Sequence, residues 1–460
     1  MDASPLLAAI DFATREAALF AASGFLLLGL SDLAVDIIWI GHRLRRRLFG
    51  PAPSISVAEL PPPARPGPIA IFVPAWDEAA VIADMLRHAL RTFDHSDYRL
   101  YVGCYPNDPA TTAAARAVAD PRVRIVVGPF PGPTTKADCL NRLWEKMDQD
   151  ERAEGRRFKA IVLHDAEDVV HSAELKLFDS LIERFDLVQL PVLPLLDPNS
   201  RWIAGHYADE FAESHGKELV VREAIGAALP SAGVGCAFSR DALDRLSTAA
   251  GAPPFDADSL TEDYELGLKL ARSGGSACFV RMRGGGNDAL VLTREYFPGT
   301  LDAAVAQKAR WMTGIALSGW DRLGWSGGAG ERWMRLRDRQ SVLAALLLFV
   351  GYAAFLLWLA AGLASILGLA SPQPIGEPLA TLLAINGALL GWRLGMRFAF
   401  VARAYGLREG LRSIPRVIAA NAIAMLAARR AVLRYLGVRR SGITAWEKTS
   451  HAFPAIVPAE

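Results

Sequence analysis

An α/β domain inserted between membrane-length helices is the architecture this sequence predicts. Three observations predict it. Residues 69–168 alternate short apolar runs with amphipathic stretches, as strands and helices of a parallel sheet do. Apolar segments at 17–40, 342–369 and 379–401 bracket that region, each long enough to cross about 30 Å of hydrocarbon. The 460 residues are also 52% hydrophobic, more apolar than a purely soluble chain.

Residues 1–50 form the first unit, a membrane helix with a basic flank. Asp32 and Asp36 interrupt its apolar run, and it lacks a basic leader and an Ala-x-Ala site, so a retained anchor is expected. Arg43, Arg45, Arg46 and Arg47 follow this segment directly, and Arg403, Arg408 and Arg412 follow the third. The intervening "ASPQPIGEP" carries no Lys or Arg, which places the large middle region on the cytoplasmic side and the N-terminus outside. Residues 51–68 hold Pro61, Pro62, Pro63, Pro66 and Pro68 and read as an extended linker.

The second unit, 69–335, starts with "IAIFVPAWDE", a buried strand ending in a loop, and a helix over 79–92. "YRLYVGCYPND" repeats the strand and loop, "TTAAARAVAD" the helix, and "VRIVVG" is a third strand. "KADCLNRLWEKM" gives another helix and "KAIVLHD" a fourth strand. In a parallel sheet the ligand crevice lies beyond the carboxyl ends of the strands. Glu78, Asp108, Asp138 and Asp165 all fall at such ends or at the start of a following helix.

No Walker lysine loop and no Gly-x-Gly-x-x-Gly follows a strand, so a phosphate ligand needs another means of neutralisation. The stretch "KAIVLHDAEDVVH" supplies one, because Asp165 and Glu167 are hard oxygen ligands suited to a divalent cation. The plain alternative is a solvated loop. In "SLTEDYELGLKLARSGG", Thr261 is placed to cap a helix with Glu262 and Asp263 in its first turn; a general base at Asp263 is the functional reading, and capping alone the bland one. In "VAQKARWMTG", Gln307, Arg310 and Trp311 share a helix face and offer an amide, a guanidinium fork that matches diphosphate, and a stacking wall. An amphipathic helix under a membrane would look the same.

Two membrane helices over 336–402 and a final unit over 403–460 complete the chain. Residues 411–435 are helical in pattern but carry Arg412, Arg416, Arg429, Arg430 and Arg434, so this helix is expected to lie in the membrane surface. Asp32 and Asp36 in the first segment, and Arg393 and Arg397 in the third, sit at similar depths with i, i+4 spacing; pairing between the helices is predicted, with snorkelling as the alternative. In the terminal "WEKTSH", Trp446, Lys448 and His451 are candidates for a lid. Cys104, Cys139, Cys236 and Cys278 lack metal-ligand spacing and read as reduced thiols, and the net charge of +1 gives no support for a nucleic-acid partner.

Taken in order, the strand-end acids, Asp-x-Glu after an apolar strand, Thr-Glu-Asp, and Gln-x-x-Arg-Trp before a membrane segment resemble the family 2 glycosyltransferases of the cellulose-synthase-like, membrane-embedded type. The resemblance covers roughly 69–319. "VPAWDEAAVI", "TTKADCLN", "HDAEDVVH" and "WEKTSHAFP" look like a narrower bacterial inner-membrane branch of that family, whose longer members carry a further C-terminal domain; regulation through such a domain is not expected from these residues. The resemblance implies a GT-A (Rossmann-like) fold, a nucleotide-diphosphate sugar donor, Mg2+ or Mn2+, and inversion at the anomeric carbon. It implies that Pro74, Glu78 and Asp108 border the nucleotide and that Lys136 and Asp138 contact nucleotide or donor. Asp165 and Glu167 would take the metal and Asp263, beside Glu262, the proton. Gln307, Arg310 and Trp311 would hold diphosphate and acceptor, and the loop 231–240 would line the acceptor path. One departure is Glu167, where the family usually has Asp, so Asp168 competes as second ligand. The acceptor expected is a cell-surface polysaccharide or a lipid-linked sugar. Three membrane segments offer few walls for a channel, so export would call on a partner protein, an oligomer or the lipid-linked acceptor. The rival readings are an inactive membrane receptor or scaffold and a nucleotidyltransferase.

Overall fold

The computed structural model describes residues 5–50, 56–284, 289–368, 375–441 and 451–455. Strands β1 (Ile69–Pro74), β2 (Tyr98–Cys104), β3 (Val123–Val127), β4 (Ala160–Leu163), β5 (Leu187–Gln189), β6 (Cys236–Ser239) and β7 (Ala277–Phe279) form one sheet in the order β3-β2-β1-β4-β6-β5-β7. β1 to β4 are parallel, as the alternation predicts. β6 departs from the all-parallel expectation and runs antiparallel to both β4 and β5. The reason is where its chain arrives: Cys236, the first residue of β6, pairs with Leu163, the last of β4, so the strand starts at the carboxyl end of the sheet and must run away from it.

Both faces of the sheet are covered, which is why its central strands read as continuous apolar runs. Ile69, Ile71 and Val73 face a core built with α2 (Ile82–Thr92), α3 (Pro109–Arg116) and α5 (Glu174–Leu181). Ala70 and Phe72 face the other core, with α4 (Lys136–Glu154), α8 (Arg240–Ala250) and α9 (Glu262–Arg272). α4 outruns its sequence pattern because Thr135 caps one end, accepting from the Asp138 N–H, and left-handed Gly155 closes the other. α2 starts three residues later than expected, since the Val81 and Ile82 N–H groups both turn back to the Glu78 carbonyl. The four cysteines are free and buried.

Among the described residues four helices are long and apolar enough to cross a membrane. They are α1 (Pro5–Phe49), α13 (Ser341–Ile366), α14 (Glu377–Tyr405) and α15 (Leu407–Ser441). α1 packs on α13 and α14 through Ala18, Ala22, Ala354 and Leu379, and the Asn386 amide donates to the Ala22 carbonyl at 2.9 Å. Between β5 and β6 lie α6 (Ile203–Glu213), a π-helical turn (Ser214–Glu218) and α7 (Leu219–Ala224); after β7 come α10 (Leu301–Trp311), a second π-helical turn (Met312–Ser318), α11 (Gly319–Leu323) and α12 (Ala329–Arg339).

Of the two expected Asp–Arg pairs between α1 and α14, Asp32 with Arg393 is present. Asp36 does not meet Arg397. Its carboxylate lies 2.5 Å from Lys217 and accepts from Trp392 at 2.8 Å, while the Arg397 Nε is 3.8 Å from Glu213. The π-helical turn at Ser214–Glu218 brings Lys217 to Asp36, and a buried carboxylate takes the cation that reaches it first. Pairing membrane segments only with one another overlooks such a third element. α15 is a single helix that outruns the expected 411–435. Its buried Arg416 bonds to Asp209 of α6 at 2.6 Å, and Ile423, Ala427 and Ala431 pack with Tyr207 and Phe297 beside α10.

Candidate active site

A cavity of about 580 Å³ opens beyond the carboxyl ends of β1 and β4. Pro74, Glu78, Lys136, Asp165 and Glu167 line its floor, Glu262 and Asp263 one wall, and Gln307, Arg310 and Trp311 another. Residues separated by more than two hundred positions thus share one space. Asp108 and Asp138 do not line it. Asp108 caps α3 and accepts from the N–H of Asp77, a residue held at φ 56°, so it fixes the loop that carries Glu78. Asp138 is turned toward Arg142, at 3.6 Å.

The three acids after β4 divide into different tasks. Asp165 lies 2.5 Å from the Lys136 ammonium; burial pushes its carboxyl up, and Lys136 outweighs burial and holds it below its ordinary value. Glu167 is buried, with one oxygen 3.1 Å from His451 Nδ1 and the other without a hydrogen-bond partner among the described residues. Burial first, then Asp165, Glu295 and Glu78, push its carboxyl well up. Glu78 lies 2.8 Å from the same His451 nitrogen, and Glu78, Glu167 and His451 each offer one ligand atom within 4.8 Å of the others. Two carboxylates and an imidazole around an orphan carboxylate oxygen fit a divalent cation such as Mn2+ or Mg2+.

Asp168 faces away from this space. It is fully buried, accepts from His164 Nδ1 at 2.7 Å and from the Asp165 N–H at 3.1 Å, and His164 Nε2 meets Glu174 at 2.6 Å. Burial opposes the His164 charge, but Glu174 and Asp168 overcome it and push the imidazole up to about 10. This triad braces the loop from below, leaving Asp165 and Glu167 as the acids of this stretch that reach the cavity. His164→Ala strands two buried carboxylates, so it should cost about 3–5 kcal/mol of stability, read as a lowered unfolding midpoint in detergent.

At the start of α9 the structure corrects one expectation: Thr261 makes no side-chain cap. Its methyl and hydroxyl both pack against Gly314 in the second π-helical turn, where an added Cβ would sit 2.5 Å from each. Asp263 is oriented by the Tyr264 N–H, which donates to it at 2.7 Å. Burial raises its carboxyl, and Lys136 and Arg310 moderate the rise; Glu262 is pushed up to about 7 by burial and by Asp263. Across from Asp263, Gly233 sits at φ +77°, and a Cβ there would lie 2.3 Å from the carboxylate. Gly233→Ala should therefore both strain the backbone and push Asp263 aside, cutting turnover far more than the unfolding midpoint; a paired activity and stability measurement checks this.

Residues 66–314 match the family model described as "Glycosyltransferase like family 2". The chain belongs to the family 2-like glycosyltransferases. It is 37% identical over 457 residues to bacteriophage adsorption protein B of Escherichia coli strain K12 and, at the same identity, to bacteriophage N4 adsorption protein B of Escherichia coli O157:H7. Those alignments cover 93% of this chain and 60% of each relative, so the chain spans less than two thirds of their length. Among solved structures, a mannosyltransferase from Pyrobaculum calidifontis in complex with GDP-Man and Mn2+ shares the fold, with a TM-score of 0.53 and 17% identity, covering 92% of this chain and 99% of that one.

Several lining residues of this glycosyltransferase escaped the sequence reading. Glu295, in "LTREYF", lies outside any regular strand or helix, and no pattern marks it; burial, Asp168 and Asp165 push its carboxyl well up. Asp32, Arg337 and Arg393 line the far end of the same cavity. The first and last were visible as charges inside apolar segments, but their place in the same cavity as Asp263 depends on how the helices dock. Ser231, Ala232 and Val234 of the glycine-containing loop line the cavity too. Trp446 and Lys448 lie outside the described residues, whereas His451 stands beside Glu78 and Glu167.

Proposed function

We propose that the protein is a membrane-embedded, inverting, metal-dependent glycosyltransferase. It moves a sugar from a nucleotide-diphosphate sugar to a growing cell-surface polysaccharide or a lipid-linked acceptor at the cytoplasmic side of a bacterial inner membrane. The observation that carries this reading is the shared cavity of Asp263, Asp165, Glu167, Gln307, Arg310 and Trp311. On this reading α15 lies along the membrane surface, with its Arg416 to Ala431 face seated on α6 and α10.

Asp263 accepts the proton of an acceptor hydroxyl as that oxygen bonds to the anomeric carbon, and the bond from that carbon to the diphosphate breaks on the opposite face. The nucleoside diphosphate leaves with the electron pair, and the configuration inverts. Arg310 presents its fork to the departing diphosphate, and Trp311, wedged at 6.0 Å edge-on to Tyr207, forms a rigid wall against the acceptor sugar. Lys136, paired with Asp165, keeps a positive charge at the base of the donor site. Glu167, Glu78 and His451 would hold the divalent cation, and Asp165 lies beside them; bound there, the cation supplies Lewis-acid neutralisation of diphosphate charge.

The test is a screen of nucleotide sugars with purified protein in detergent, with and without Mn2+ or Mg2+, reading nucleoside diphosphate release. Cation-dependent release supports the transferase. Release of pyrophosphate would point to nucleotidyl transfer, and no turnover of any donor would leave a receptor or scaffold.

A further inference from the structure

Asp32 of α1 meets Arg393 of α14, and two turns further along each helix Trp39 meets Phe400, with ring centroids 4.9 Å apart. Equal steps mean that the two helices run side by side in one direction, so their carboxyl ends lie at one level. Those ends are basic. Arg43 stands one turn beyond Trp39, its guanidinium carbon 5.0 Å from the centre of that ring, and Arg403 stands one turn beyond Phe400 on the same helix face. Arg281, after β7, approaches the same spot from the sheet: a Cβ on Gly216 would lie 2.6 Å from the Phe400 ring and 3.8 Å from Arg281 Nη1. Three cations from three separate elements thus gather about one aromatic pair.

None of the three has a counter-charge. Among the described residues no carboxylate lies within ion-pair reach of Arg43, Arg281 or Arg403, and their one guanidinium hydrogen bond runs from Arg281 to the His215 carbonyl. Other arginines where the sheet and the long helices dock are paired: Arg393 and Arg337 with Asp32, Arg222 with Asp338, Arg416 with Asp209. Burial first, then Arg403 and Arg43, push the Arg281 guanidinium down to about 10, as crowding without an acid should. Arg43 and Arg403 are exposed and Arg281 is half-buried. Leu44 beside Arg43, and Leu407 one turn past Arg403, are exposed apolar side chains, so the cations stand at the edge of an apolar surface.

We propose that Arg43, Arg281 and Arg403 form a binding site for the phosphodiester headgroup of an anionic phospholipid, whose acyl chains lie along Leu44 and Leu407. Guanidinium forks match phosphate oxygens, and the headgroup supplies the negative charge that no nearby side chain provides. A lipid suits the site better than a dissolved anion, because Arg43 and Arg403 close helices of membrane length, at the depth where headgroups lie. This lipid is a bound companion and not a reactant, since none of the three arginines lines the cavity of Asp263. The inference rests on the membrane-embedded reading above and is independent of the sugar chemistry.

The test is native mass spectrometry of the full chain in detergent, titrated with phosphatidylglycerol or phosphatidylcholine. Wild-type protein should retain phosphatidylglycerol in preference. Arg43→Gln and Arg403→Gln should each weaken its binding roughly fivefold, and the double variant roughly 30-fold, at the worth of one basic side chain apiece near an anionic headgroup. Arg43→Lys should keep most of the affinity. Arg45→Gln, on the other side of α1, should change it little, and every variant should keep an unfolding midpoint close to wild type. Undiminished phosphatidylglycerol binding in the double variant overturns the site. A loss in Arg45→Gln equal to that in Arg43→Gln also overturns it, marking diffuse attraction to a basic flank. Displacement by inorganic phosphate at equal concentration would overturn the lipid as occupant. A chain that stays monodisperse without detergent would sink the membrane reading itself, whereas a detergent-requiring chain indifferent to the two lipids would sink this inference alone.

Discussion

Asp263→Asn should lower transfer by about 10²- to 10⁴-fold, the range over which a positioned general base acts, while nucleotide binding stays close to wild type. Asparagine keeps the volume and can still accept from the Tyr264 N–H, so the loss isolates proton removal. The pH profile gives a second handle. A base works only when ionised, and burial raises the Asp263 carboxyl, so the wild-type rate should fall as pH drops through a value above that of an ordinary aspartate. A rate that falls only where an unburied aspartate would protonate, or an asparagine variant with near-normal turnover, would remove Asp263 from this role.

Glu167→Gln is the other substitution with a large expected effect. It keeps the shape of the side chain beside His451 but puts a neutral amide where the carboxylate would ligate the cation. Divalent-cation affinity should fall by more than the roughly 10- to 100-fold that loss of an outer-shell partner already costs. The loss should appear in calorimetric Mn2+ titration with nucleoside diphosphate present, and in turnover. Asp168→Asn is the informative contrast: Asp168 is locked to His164, so its replacement should lower stability and leave the cation titration nearly intact. A variant pair behaving the other way round would exchange the two acids' tasks.

Much of this arrangement was legible in the sequence, for reasons that differ from place to place. The parallel half of the sheet declares itself because β1, β2 and β4 are buried on both faces and read as unbroken apolar runs, with polar loops at the ends where ligands sit. The Asp32–Arg393 pair was visible because charges in apolar helices need partners. What was illegible depends on three-dimensional docking. β6 is a four-residue strand whose direction follows from where its loop enters. Lys217 displaces Arg397 because a π-helical turn points it at α1, and no spacing rule announces that turn. Thr261 looked like a cap from its neighbours in sequence, and only the fold shows its side chain packed against Gly314 with no cap made. His451, far along the chain from Glu78, reaches the acids by a return of the backbone that composition does not encode.

The ammonium of Lys217, 4% exposed and sitting between Glu213 and Asp36, ties the sugar-transfer machinery to its anchoring rod. Cutting away the first fifty residues would leave that cation in a dry seam with half of its counter-charge gone. A trimmed fragment should therefore come out aggregated instead of as a tidy soluble enzyme, and biochemical work on this chain is best begun with every hydrophobic helix in place.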